Sequence, residues 1–208
     1  MSDAQEQRKN WLFGTIVPSN LRRITMKIFF DTEFTGLRQD TTLISIGMIS
    51  ETGDTFYAEF TDFDRSMCDD WIEENVIKNL KYYGRLDIDT VYRTTFSTKT
   101  KNISIVMLDS ASAISDALKK WLSQWDSVEL WSDCLAYDWV LFCQIFGGAF
   151  SIPDNVYYIP FDICTLFKIR NIDPDVNREE FAGSVNTDDK HNSLHDSIII
   201  KKCYEKLM

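Results

Sequence analysis

KIFFDTEFTGL, residues 27–37, starts as an apolar β-run and then sets two acids where the strand should close. Side chains alternate across a strand, so Asp31 and Glu33 point to one face while Phe30 and Thr32 point to the other. Two like charges side by side at the end of an apolar strand repel unless a cation lies between them, and a magnesium or manganese site supplies that cation. A solvated strand end running into turn chemistry at Thr35 and Gly36 explains the same residues without any metal. The local sequence alone leaves both readings open.

Working outward, residues 43–50 and 55–60 are β-rich, and Glu51-Thr52-Gly53-Asp54 between them carries a hairpin signal. With 27–31 this gives three consecutive, antiparallel strands. Helical periodicity follows at 68–79, 110–125, 136–146 and 193–206, and 127–132 reads as a strand between helices, parallel to one of the first three. Residues 82–107 alternate aromatic, threonine and charged side chains and are read as an inserted hairpin. Residues 171–190 are polar and are read as a mobile loop. Residues 1–25 differ in character from the rest and are read as an N-terminal appendage to a single domain spanning 26–208.

Two of the helices repeat the anomaly of the first strand. Spacing on 136–146, which Gly147 and Gly148 close, puts Asp138 at the head of a stripe with Leu141, Phe142 and Ile145. On the last helix Asp196 leads Ile199, Ile200, Cys203 and Leu207. A charge heading an apolar stripe is costly unless paired or metal-bound. Each acid also has an ordinary explanation: Asp138 gains from the helix dipole in the first turn, and Ser193 with Asp196 fits a weak capping box. The ordinary explanations must all hold together, whereas one two-metal site needs several acids arriving from different elements.

His191 and His195 have the i, i+4 spacing of a zinc pair, but the HExxH glutamate is missing and no nearby cysteine completes a ligand set. His191 reads better as a residue of the loop before the last helix, where a group titrating near neutrality can act as a general base. Asp162 reads as the N-cap of a short helix rather than a ligand. No P-loop, GxGxxG or GxSxG is present, which argues against nucleotide-cofactor enzymes and serine hydrolases.

With 208 residues and 44% apolar content, the chain has enough material for one core. A net charge of −10 argues against broad clamping of duplex nucleic acid, yet leaves room for an enzyme that grips only a strand end through bound cations. Five scattered cysteines without a CxxC pair read as reduced, mostly buried thiols. The apolar runs are too short to cross a bilayer and the start is too polar for a secretory signal, so a soluble cytoplasmic protein without membrane contact is expected.

The motifs resemble those of the DEDDh 3′-5′ exonucleases. Residues 30–37 look like the first motif, Ala136-Tyr137-Asp138 like the second, and His191 with Asp196 like the H-x4-D third; Asn192 stands where the tyrosine variant would carry Tyr. The likeness extends through 43–49, 129–131 and 143–147, is nearest to a bacterial exoribonuclease group with mycobacterial members, and has the phage exodeoxyribonuclease A group as a neighbour. Asp133-Cys134 replaces the His-Asn that many relatives carry, which bears on substrate contact rather than on the metal ligands.

The resemblance implies an α/β, ribonuclease H-like fold, a mixed β-sheet flanked by α-helices. It implies two Mg2+ or Mn2+ ions held by Asp31, Glu33, Asp138 and Asp196, with His191 deprotonating the attacking water. Thr35, Gly36 and Leu37 would contact the terminal nucleotide. The substrate would be the 3′ end of single-stranded RNA or DNA, RNA being favoured, and the product a nucleoside 5′-monophosphate. An exodeoxyribonuclease with the same site is the alternative; a zinc hydrolase or an inactive end-binding module follow behind it. Oligomeric state is open, with a homodimer among the options.

Overall fold

A computed structural model describes residues 25–85, 90–184 and 191–208. The segment read as an appendage therefore lies, Thr25 apart, outside the described residues. The first three strands are β1 (Met26–Phe34), β2 (Leu43–Ser50) and β3 (Thr55–Phe60), each antiparallel to the next. β1 runs three residues beyond the apolar segment, so Asp31 and Glu33 sit within the strand rather than after it. At the β2–β3 turn Gly53 adopts φ +102, and Asp54 accepts hydrogen bonds from the hydroxyls of Ser50 and Thr52. These contacts secure the turn.

Residues 82–107 do hold a hairpin, β4 (Val91–Phe96) and β5 (Ile103–Asp109), but it is not a separate insertion. β5 pairs in parallel with β3 and extends the main sheet, leaving β4 as its largely exposed edge. β6 (Val128–Ser132) is parallel to β1 and β7 (Phe161–Asp162) is parallel to β6. The order β4-β5-β3-β2-β1-β6-β7 makes a mixed seven-stranded sheet with β2 and β1 near its centre, where long apolar runs are needed on both faces.

Six α-helices flank it among the described residues: α1 (Asp70–Asn75), α2 (Ala111–Leu122), α3 (Ala136–Ile145), α4 (Ile163–Ile169), α5 (Arg178–Ala182) and α6 (Ser193–Leu207). The architecture is the α/β ribonuclease H-like fold. α1 is shorter than the 68–79 periodicity predicts. It starts only after Asp69, which accepts from the Ile72 amide as N-cap, and near its end the Asn75 side chain donates to the Trp71 carbonyl, so a 3-10 turn replaces the last α-turn. The polar stretch from 171 is not a plain loop either: Asn177 caps α5, and Phe181 packs on Phe167.

The two faces have separate cores. Ile28, Phe30, Ile46, Met48 and Phe56 pack with Leu118 and Trp121 of α2 and Phe142 of α3. On the other face Phe29 and Ile49 pack with Phe167 of α4 and with Ile199, Ile200, Cys203 and Leu207 of α6. By alternation Asp31 and Glu33 continue the Phe29 row, under α6. All five cysteines are free thiols, but only Cys143 and Cys203 are buried, fewer than expected. No described helix is long and apolar enough to cross a membrane.

Candidate functional site

α6 can approach the sheet closely because β2 carries Gly47 at its middle. A Cβ built on Gly47 would meet the Leu194 nitrogen at 2.1 Å and the Ser193 carbonyl carbon at 2.2 Å. The first turn of α6 thus rests on bare backbone, and Gly47 is the β2 partner of Asp31. Ser193, buried beside this contact, shares a 2.9 Å hydrogen bond with Ser45. The helix starts at Asn192, which accepts from the His195 amide, so Asp196 lies outside the capping pair that its sequence suggests.

The consequence is convergence. Asp31, Glu33 and Asp196 bring one carboxylate oxygen each within 4.8 Å of the others. Asp138 reaches the group from α3 but is turned onto β1, accepting the Thr32 amide at 3.1 Å, the Thr32 hydroxyl, and the Ser132 hydroxyl at 3.3 Å. β6 pairs with β1 only as far as Phe29, so the Thr32 amide is left on an open edge that Asp138 fills. Of the four acids read from the sequence, three therefore cluster and the fourth stands beside them.

Their electrostatics show the strain of this arrangement. Burial, then Asp138, Glu33 and Asp196, pushes the Asp31 carboxyl well above the ordinary range. Burial, then Asp196 and Asp138, takes Glu33 up to about 8. Burial raises Asp138 to about 6 despite the opposing hydrogen bonds from Thr32 and Ser132. The neighbours acting most strongly on Asp31 are all acids, an arrangement that a cation would relieve. The donors are hard carboxylate oxygens, which suit magnesium or manganese better than zinc.

A cavity of about 260 Å³ opens over this cluster, lined by Asp31, Asp196 and His191 together with Asp133 and Arg178. His191 lies directly before the Asn192 cap with φ +59, and its ring meets that of Trp71 edge-on at 5.0 Å. Behind it, Asn192 donates to the Tyr57 hydroxyl at 3.2 Å, and Tyr57 donates to Glu59 at 2.7 Å. Glu59, fully buried, also accepts the amides of Lys81, Tyr82 and Tyr83. This buried chain fixes where α6 begins and so where His191 stands. His195 points elsewhere, its Nε2 buried 3.8 Å from Glu179, and neither histidine belongs to a metal-capable cluster among the described residues.

The turn after β1 is divided in use. Thr35 is buried, its hydroxyl accepting from the Thr42 amide at 3.0 Å. Gly36 adopts φ +147, and Leu37 is 78% exposed. Asp162 accepts from the Cys164 amide as the N-cap of α4, the role its sequence suggested. Sequence reasoning missed Gly47, Trp71 and the pair formed by Asp133 and Arg178, joined at 2.6 and 3.0 Å. Gly47 had a local signal, a glycine inside a strand pattern, and Asp133 was marked by its departure from relatives, but nothing local pointed to its pairing with Arg178.

Fold and site together define a ribonuclease H-like α/β protein with a half-buried carboxylate cluster suited to divalent cations. Within that class the chain belongs to the family of the 3′-5′ exoribonuclease Rv2179c-like domain, whose model matches residues 26–208. This places it among the 3′-5′ exoribonucleases, a kind of hydrolase. It is similar to two Mycobacterium tuberculosis proteins, 3′-5′ exoribonuclease Rv2179c of strain ATCC 25618 / H37Rv and 3′-5′ exoribonuclease MT2234.1 of strain CDC 1551 / Oshkosh. Each is 28% identical over 131 residues, which cover 63% of this chain and 67% of the relative.

Proposed function

We propose that this chain is a DEDDh exonuclease that removes nucleoside 5′-monophosphates from the 3′ end of single-stranded RNA, within a catalytic domain spanning 26–208. The observation that carries this reading is the convergence of Asp31, Glu33 and Asp196, with the Asp31 and Glu33 carboxyls pushed well above the ordinary range by burial and by the neighbouring acids. Such a cluster is unfavourable in the bare protein and favourable around cations. Asp31, Glu33 and Asp196 would hold two Mg2+ or Mn2+ ions, with Asp138 joining by turning from Thr32. When bound, these ions supply positive charge to activate water and to stabilise the leaving 3′ oxygen.

The remaining work falls to the chain's own side chains. His191, at the cavity wall, would take the proton of the attacking water at a ring nitrogen, and the Trp71 edge restrains that ring. The Arg178 guanidinium, held by Asp133, would add a cationic group to the cavity wall that the acids share, where a phosphate can be met. Leu37 offers exposed apolar surface to the terminal base, while Thr35 and Gly36 shape the turn that presents it. Family membership supports RNA over DNA. No step requires a second copy of the chain.

The test is digestion of matched 3′-labelled RNA and DNA oligonucleotides with Mn2+, wild type beside Asp31→Ala. Labelled mononucleotide released first from RNA, and lost in the variant, supports the proposal. Internal fragments, or equal release by the variant, would overturn it.

A further inference from the structure

Cys134 and Cys164 are 30 residues apart in sequence, yet their sulfurs lie 3.8 Å from each other. Cys134 is exposed and sits at φ +51 in the loop between β6 and α3. Cys164 lies in the first turn of α4, its thiol 2.9 Å from an Asp133 oxygen and 3.1 Å from Arg178. Closing the gap to the ~2 Å of a disulfide asks each sulfur to move about 0.9 Å, within reach of small side-chain rotations. The other three thiols have no sulfur partner among the contacts described.

We propose that Cys134 and Cys164 form a reversible intramolecular disulfide under peroxide, a modification site on the wall beside the nuclease cavity. Exposed Cys134 reacts first: it gives up its proton, its sulfur attacks one peroxide oxygen, the O–O bond breaks, and the departing hydroxide takes that proton, leaving a sulfenic acid and one water. The Cys164 sulfur then attacks the sulfenic sulfur and displaces a second water. In sum, two thiols lose two protons and two electrons, and one peroxide takes them up to become two waters. Burial and Asp133 raise both thiols, Cys164 to about 12, so little thiolate forms at neutral pH and the oxidation is slow. The bond withdraws Cys164 from Asp133 and Arg178, two residues that line the cavity with Asp31 and Asp196.

The pair also has the spacing of a soft-metal site, since Asp133 completes a three-ligand group with the two sulfurs. Disulfide formation is favoured because Asp133 is already committed to Arg178 through both oxygens. The test treats the reduced full chain with hydrogen peroxide, alkylates it, and maps peptides by mass spectrometry without reductant. A peptide joining Cys134 to Cys164, lighter by two hydrogens, removed by dithiothreitol and absent from Cys134→Ser, is expected, with Cys68 still alkylated. The proposal is overturned if both thiols remain alkylated, if Cys134 is found only as sulfinic acid or in a dimer, or if stoichiometric zinc protects the pair. None of these readouts depends on nuclease activity.

Discussion

Replacing Gly47 with alanine adds one methyl group where the structure has no room for it. The new carbon would stand 2.1 Å from the Leu194 nitrogen, and ordinary contact begins at 3.4 Å, so α6 must retreat by about 1.3 Å at its first turn. The clash is with backbone, which has no rotamer to change. Overpacking of this kind costs about 1–3 kcal/mol. Because Asp196 lies in that same turn and must meet Asp31 and Glu33, the displacement also opens the carboxylate cluster. A misplacement near 1 Å lowers catalysis by roughly 100-fold. Thermal melts with and without Mn2+, beside 3′-labelled RNA digestion, measure both effects. Gly47→Ala should melt lower, gain less from Mn2+ and turn over about 100-fold more slowly. Wild-type stability with wild-type turnover would refute the argument that bare backbone at Gly47 seats the helix.

Other consequences follow from the same geometry. Glu33 is raised from 4.5 to about 8 and Asp138 from 3.8 to about 6, so both bind protons more tightly folded than unfolded. Their stabilising protonation is complete below the unfolded values and is lost as pH rises through the folded ones. The metal-free protein should therefore lose melting temperature between about pH 4 and 8, and Mn2+ at pH 8 should restore it; a melt flat across that range would contradict the coupling. His191→Gln should slow hydrolysis about 100- to 10,000-fold while leaving Mn2+ binding by calorimetry intact, and parallel loss of both would make His191 a structural or ligand residue instead. Glu59→Ala leaves the amides of Lys81, Tyr82 and Tyr83 without their carboxylate and should cost several times the ~1–3 kcal/mol of one orphaned donor in denaturant melts. A loss under about 1 kcal/mol would mean that water replaces it.

What was legible in the sequence was whatever depends on local periodicity. The strands at 43–50 and 55–60 and the stripe Ile199, Ile200, Cys203 and Leu207 were visible because burial on one face writes itself into the order of residues. The acids were visible as violations of that order. The join of β5 to β3 was not, because it pairs residues about 49 apart through a hairpin whose own pattern is only that of two strands. Arg178 sat in a polar stretch with no periodic signal, and its role depends on Asp133, 45 residues away. The capping-box reading of Asp196 failed by one residue: Asn192 rather than Ser193 begins the helix, because Ser193 is buried against Ser45.

The central claim is that the acids tolerate one another because they hold cations. An anomalous difference map from crystals soaked in Mn2+ tests this most directly. The expected result is manganese between Asp31, Glu33 and Asp196, with Asp138 turned from Thr32 toward it. A map without manganese there, or with the metal held only by Asp133, Cys134 and Cys164, would contradict it.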